Sequence, residues 1–319
     1  MRKKLNIFAL LSLLVGNLVF AKSIFKISME NAKYYKKQET EICKKYLYKY
    51  KPNEITTAAH YGCVKQLLKL IEQGYDVNYI DTHGGTPLYN AISNYKIKIL
   101  HILLENGADP NLIVPGFDQQ TLLAYTAMSY PGLKIVHNAS EVRIYILKLL
   151  LTYGADVNLL DESPLPSTPL YSWTARGNME GVTILLKAGA DVHGSGGTPP
   201  IMGVGSEEVL EILLRYGADI EFKNQYGKTV LHGAVESGTP DVVKAVIEHG
   251  IDVNTQMNGG ETPLIWCVRV ERIDLLTTLL KLGADSKIKT KNGLTAYSLA
   301  KQLNNKKALV IFEENGIYQ

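Results

Sequence analysis

Residues 250–285 read GIDVNTQMNGGETPLIWCVRVERIDLLTTLLKLGAD, and this stretch decides the fold. A glycine, one residue and an aspartate stand at each end, Gly250-Ile251-Asp252 and Gly283-Ala284-Asp285, with 33 residues from one glycine to the next. Thr262-Pro263-Leu264 lies between them, its threonine 21 residues before Gly283. A threonine hydroxyl can accept the free N–H groups of a helix start, and proline suits the first helical position because its missing N–H would have no partner there. Leu275, Leu276, Leu279 and Leu280 then follow at helical spacing, which predicts a second helix with one buried stripe. The glycine ends that helix in a left-handed conformation that costs other residues roughly 1 kcal/mol. The aspartate after it favours a turn.

The same words return along the chain. The turn glycine recurs at Gly74, Gly107, Gly154, Gly189, Gly217, Gly250, Gly283 and Gly316, at intervals of 33, 47, 35, 28, 33, 33 and 33 residues. Thr-Pro-Leu recurs at Thr86, Thr168 and Thr262, with looser copies at Thr121, Thr198, Thr229 and Thr295. A single helix pair cannot bury both its faces, so neighbouring units must stack, and the core lies at the interfaces between them.

These motifs resemble the ankyrin-repeat family, whose 33-residue unit opens on Thr-Pro-Leu-His and closes on a Gly-Ala-Asp turn. The resemblance covers about residues 53–318; Thr229-Val230-Leu231-His232 keeps the histidine, where Tyr89, Tyr171 and Ile265 stand in other units. It implies an all-α ankyrin-repeat solenoid of about eight helix-turn-helix units with β-turn or hairpin tips, over residues 53–319. The units end near 78, 111, 158, 193, 221, 254, 287 and 319, behind an N-terminal capping helix at 22–52. Two units depart from the rule. The third gains 14 residues, mostly between Met128 and Glu141, where Pro131-Gly132 predicts a loop between its two helices. The fifth is short and holds Gly194-Ser195-Gly196-Gly197 and Gly203-Val204-Gly205, which predicts a weak first helix.

Residues 1–21 have the pattern of a cleaved export signal: Arg2, Lys3 and Lys4 precede an apolar run from Leu5 to Phe20, and Ala21 offers a cleavage site. The run holds 16 residues, short of the roughly 20 that a spanning helix needs. No later segment is long and apolar enough to span, so no membrane span is expected after cleavage. The abundance of Lys, Ile, Asn and Tyr points to a bacterial source, so the expected location is the periplasm, with secretion as the alternative. Without residues 1–21 the chain has 31 basic and 31 acidic residues, a balance that argues against nucleic acid as the partner. Of the three cysteines, Cys43 and Cys63 either close a short loop as a disulfide, worth about 3 kcal/mol, or serve with Cys267 as small apolar residues.

Catalytic motifs are missing from the sequence. Gly227-Lys228-Thr229 mimics the end of a phosphate-binding loop, but Phe222 stands where that loop needs its first glycine. The seven histidines, His60, His83, His101, His137, His193, His232 and His249, form no pair at metal-ligand spacing. Most carboxylates sit in turns one unit apart, roughly 10 Å in a helix stack, too far for a dyad sharing a proton. The expectation is a chain that is not an enzyme and uses no cofactor and no metal.

The resemblance implies instead a protein partner, held by the turn tips and the exposed ends of the first helices, with the chain a monomer or part of a hetero-complex. Mapped onto this sequence, that strip comprises Thr82, His83, Ser93 and Asn94 in the second unit and Ala175 and Arg176 in the fourth. It continues with Gln225, Tyr226, Lys228, Glu236 and Ser237 in the sixth unit and Asn258, Glu261, Arg269 and Val270 in the seventh. Tyr79, Tyr95 and Tyr226 fall outside the apolar stripes and add contact area with a polar tip. Three roles fit an exported binder: an immunity protein neutralising a toxic effector, an accessory factor for an envelope stress-defence enzyme, or a scaffold.

Overall fold

A computed structural model describes Cys43 and residues 54–113, 119–128 and 139–318. The signal segment at 1–21 lies outside the described residues, as does the capping helix at 22–52 apart from Cys43, which is helical. Among the described residues there are 15 α-helices and no strands, and the chain forms an all-α repeat solenoid. The helices fall into pairs, α1 (Glu54–Tyr61) with α2 (Val64–Glu72) and α3 (Pro87–Ser93) with α4 (Ile97–Glu105), while α5 (Leu122–Tyr125) and α6 (Ala139–Thr152) follow them in the chain. Next come α7 (Pro169–Ala175) with α8 (Met179–Lys187), then a 3-10 turn (Pro200–Gly203) with α9 (Glu207–Arg215). The last three pairs are α10 (Val230–Ser237) with α11 (Pro240–Glu248), α12 (Pro263–Arg269) with α13 (Leu276–Lys281), and α14 (Ala296–Gln302) with α15 (Lys306–Glu314).

The contacts divide the chain into two compact units: Met1–Phe117 with Tyr130–Ala155, and Asp118–Ser129 with Asp156–Gln319. In the first, α1 packs on α3 and α2 on α4. In the second, the first helices stack in the order α5, α7, 3-10 turn, α10, α12 and α14, and the second helices in the order α8, α9, α11, α13 and α15.

The local chemistry follows the sequence motifs. Thr86, Thr121, Thr262 and Thr295 each accept an N–H three residues on, at 3.0, 3.2, 3.3 and 3.1 Å. Thr168 departs from this: its hydroxyl is buried without a hydrogen-bond partner, and the Tyr171 N–H goes to the Thr168 carbonyl. The leucine after each proline is fully buried, as Leu88, Leu170 and Leu264 are, each worth about 1.5–3 kcal/mol over an exposed position. The eight turn glycines all have positive φ, between 73° and 98°, and a Cβ there would meet nothing, so the conformation alone calls for glycine.

The aspartate of each turn has a definite task. Its carboxylate accepts the N–H two residues on, at 2.9 Å in Asp76, Asp109, Asp156, Asp219 and Asp252 and at 2.8 Å in Asp285. Where an asparagine supplies that N–H, its side chain reaches the next repeat. Asn78 donates to the Gly107 carbonyl and accepts the Asp109 N–H, and Asn158 does the same with Gly189 and Asp191.

The two irregular units take forms of their own. The short fifth unit has a 3-10 turn for its first helix, in line with its glycines. Asp191 covers two turns there, its Oδ1 accepting the His193 N–H and its Oδ2 the Ser195 N–H; these bonds, the His193 one foremost, hold its carboxyl below the usual range. In the third unit the expected loop needs correction at its end. Helix α6 starts at Ala139, two residues before Glu141, and runs for 14 residues. Ile144, Leu147 and Leu150 recur on its buried side, so the helical pattern extends upstream. Residues 129–138, most of that expected loop, lie outside the described residues. At the front of the first unit Cys43 and Cys63 form a disulfide with a Cα–Cα distance of 5.8 Å, within the range such a bond requires.

Trp173 on α7 is fully buried and donates its indole N–H to the Leu123 carbonyl at 3.2 Å. Its ring lies flat against helix α8 at Gly181, where a Cβ would come within 2.0 Å of Trp173 Cε3. Alanine is worth roughly 1 kcal/mol over glycine inside a helix, yet Gly181→Ala is expected to destabilise the protein by about 1–3 kcal/mol, because a buried ring must move. Chemical denaturation followed by tryptophan fluorescence checks this, and a variant as stable as the parent would contradict the packing described.

Candidate functional site

The second compact unit presents a connected inner surface built from first-helix ends and loop tips. Each tip is a short loop closed on itself. In the sixth repeat Asn224 Oδ1 accepts the N–H groups of Tyr226 and Lys228, and Asn224 N–H donates to the Lys228 carbonyl. The tip of the seventh repeat leans on it: the Asn258 backbone N–H donates to the Tyr226 carbonyl and its side-chain amide to the Gln225 carbonyl, both at 2.9 Å. A Cβ at Gly227 would collide with Asn258, so glycine is needed for that approach.

Behind the tips the charged side chains are paired. Lys228 Nζ lies 2.5 Å from Glu236 Oε2 and 5.6 Å from the centre of the Trp266 ring, while the Trp266 indole donates to Glu236 Oε1 at 3.1 Å. Arg269 reaches Glu261 at 2.5 Å. Tyr171, two repeats earlier, has its hydroxyl pKa raised by burial and by the Glu236 charge. Arg272 holds the end of α10 in place: its guanidinium donates to the carbonyls of Val235, Glu236 and Gly238 at 3.0, 2.8 and 2.8 Å, and pairs with Asp274 at 2.8 Å. The Cys267 thiol donates to the Arg272 carbonyl at 2.7 Å, and burial pushes its pKa up to about 12, so it stays a neutral thiol.

The expected strip residues of this unit thus divide. Asn258 joins Gln225 and Tyr226 at the tips, Lys228 pairs with Glu236 and Arg269 with Glu261, and Tyr226 is 56% exposed. Ser237 is exposed and Val270 half-buried beside it, while Ala175 is half-buried and Arg176 exposed at the end of α7. In the first unit Thr82 and His83 are exposed on a tip closed by Asp81. There Asn94 donates to His60 at 3.1 Å, to Ser93 and to the Asn90 carbonyl. Of the tyrosines expected outside the stripes, Tyr79 is exposed, but Tyr95 is half-buried and its hydroxyl pKa is raised by burial. Trp266 and Asn90 were not on the expected strip. Each sits one helical turn before a strip residue, Val270 and Asn94, and that four-residue spacing is the signal that finds them.

A shallow depression of about 430 Å³ opens nearby, lined by Gln119, Gln120, Asp161, Ser163, Leu165 and Tyr171 among others. It offers no ready base: the Asp161 carboxylate already accepts the hydroxyls of Ser163 and Ser167, each at 2.6 Å, and the Ser167 N–H. Among the described residues no three His, Cys, Asp or Glu side chains cluster to hold a metal ion, and no helix is long and apolar enough to cross a membrane.

A model of ankyrin repeats matches this sequence three times, over residues 29–114, 136–224 and 201–292. The chain belongs to the ankyrin-repeat family. It is 29% identical over 200 residues to the human transient receptor potential cation channel subfamily A member 1, covering 56% of this chain and 16% of the channel. It is 34% identical over 88 residues to the mouse ankyrin repeat family A protein 2, covering 24% of this chain and 28% of that protein. With the mouse 2-5A-dependent ribonuclease it shares 38% identity over 60 residues, 18% of this chain and 8% of the enzyme. The chain therefore spans under a third of each of these relatives. Ankyrin repeats are protein–protein interaction modules.

His232, the one histidine that keeps the family's position, is fully buried. Its Nδ1 meets Thr229 Oγ1 at 2.9 Å and its Nε2 meets the Glu261 carbonyl at 3.1 Å, tying the sixth repeat to the seventh. Burial lowers its pKa to about 4; the Glu261 carbonyl opposes this, and the Lys228 and Lys223 charges add to it. The unfolded chain, with a histidine pKa near 6.5, binds a proton that the folded chain refuses. The stability is therefore whole above about pH 6.5 and falls as the pH drops towards 4, by about 2 kcal/mol at pH 5. Urea unfolding at pH 7.5 and pH 5 should show this loss, and His232→Gln should remove most of it. A variant with an unchanged pH slope would count against the buried neutral imidazole.

Proposed function

We propose that this chain is an exported protein acting in the periplasm as a non-catalytic module that binds one specific partner protein. The observation that carries the reading is the set of paired side chains, Lys228 and Trp266 on Glu236 and Arg269 on Glu261, with the Tyr226 tip exposed. Tyrosine, tryptophan and arginine are the side chains that dominate protein interfaces, and here Trp266 and Arg269 are held by Glu236 and Glu261 before a partner arrives, which limits the entropy lost on binding. The compartment is supported by the basic and apolar pattern of residues 2–21 and by the Cys43–Cys63 disulfide, a bond that persists in oxidising surroundings. A toxic effector as partner would make the protein an immunity factor; an envelope enzyme would make it an accessory factor.

The test is capture of the tagged full chain from the source organism's envelope, followed by mass spectrometry. One protein recovered in near-equal amount is expected. The double variant Tyr226→Ala/Trp266→Ala, checked for unchanged helix content by circular dichroism, should retain it at least tenfold less well. Equal capture by the variant would move the binding surface elsewhere, and no partner even after mild cross-linking would remove the dedicated-binder reading.

A further inference from the structure

The last repeat differs electrically from the rest of the chain. Residues 281–319 hold seven lysines and three acids, Asp285, Glu313 and Glu314, a net charge of +4, while residues 22–280 hold 24 basic and 28 acidic side chains. All seven lysines are exposed, and among the described residues no ion pair engages any of them. Lys287, Lys289 and Lys291 alternate with half-buried Ile288 and buried Thr290, so three charges leave the tip together. The Asp285 carboxylate does not offset them freely, since it accepts the Lys287 N–H. Lys306 and Lys307 open helix α15, and the same repeat exposes three large apolar side chains: Leu303 at 48%, Val310 at 52% and Tyr318 at 63%.

We infer that this terminal repeat docks on an anionic phospholipid surface. Exposed lysines with interspersed apolar side chains are the composition of an interfacial membrane contact, where lysine supplies diffuse attraction and the apolar groups enter the headgroup layer. Other polyanions fit less well. Residues 273–319 contain no arginine, the side chain that grips phosphate in a fork and anchors protein interfaces, and lysine is depleted from such interfaces. Tyr297, which a nucleic-acid surface would use for base stacking, is buried under Lys301.

Co-sedimentation of the full chain with vesicles tests this, using pure phosphatidylcholine against phosphatidylcholine with 30% phosphatidylglycerol. Residues 2–20, with Arg2, Lys3 and Lys4, are common to every variant, so their contribution cancels between variants on the same vesicles. Binding to the anionic vesicles at 50 mM salt should exceed binding to the neutral ones and fall at 300 mM. Each lysine near the surface is worth roughly fivefold, so the variant Lys287→Gln/Lys289→Gln/Lys291→Gln should bind on the order of 100-fold more weakly. Lys65→Gln/Lys69→Gln on α2 should leave binding unchanged, and circular dichroism confirms that each variant is folded. Equal binding to both vesicle types, or full binding by the triple variant, would overturn the inference. So would a preference for a DNA duplex over the anionic vesicles, which would assign the surface to nucleic acid.

Discussion

A pair of helices seven to nine residues long has too little surface to bury both sides of itself, and everything else in this protein follows from that shortage. Leu231 and Leu264 are buried only because a neighbouring first helix covers them, and Val246 and Leu279 because a neighbouring second helix does. Energy is therefore stored between repeats, and a repeat that contacts poorly weakens its neighbours too. Glycines mark where contact is closest: a Cβ at Gly233 would stand 2.0 Å from the Met202 carbonyl oxygen, so α10 lies directly on the 3-10 turn of the fifth repeat.

Polar groups obey the same constraint. Loop tips carry backbone groups that no helix satisfies, and a carboxylate or amide placed at the head of each turn accepts them. Asp81 and Asn224 do this alike, each taking two N–H groups of its own loop. The tips are thereby stiff enough to lean on one another, as Asn258 does on Gln225 and Tyr226. Arg272 extends the principle across repeats by serving the carbonyls at the end of α10. A surface held in this way has its loop backbone fixed by its own hydrogen bonds.

The helix starts, the turn glycines and the weak fifth helix were legible in the sequence because each depends on residues close together in the chain. Thr262 caps its own helix, and Gly283 needs only its own φ. What could not be read depends on residues a repeat apart. The asparagine of Asp76-Val77-Asn78 looks like a turn residue, yet half its role is a bond to Gly107. Trp266 reads as one more apolar helix residue until Glu236, 30 positions away, is seen to accept its indole N–H. The missing cap at Thr168 is equally invisible, since its motif is as clear as that of Thr86.

The inner surface of the second unit is thus held by adjacent repeats, and the fifth repeat, with a 3-10 turn where its neighbours have helices, gives its amides only a short run of hydrogen bonds for protection. Native-state hydrogen exchange read by mass spectrometry tests this most directly. Amides in α10 and α12 are expected to exchange slowly and with a common opening free energy, while those at 200–206 exchange markedly faster. If the amides of 200–206 were as protected as those of α10, or α10 and α12 opened independently, stabilisation between neighbouring repeats would not be what fixes the surface.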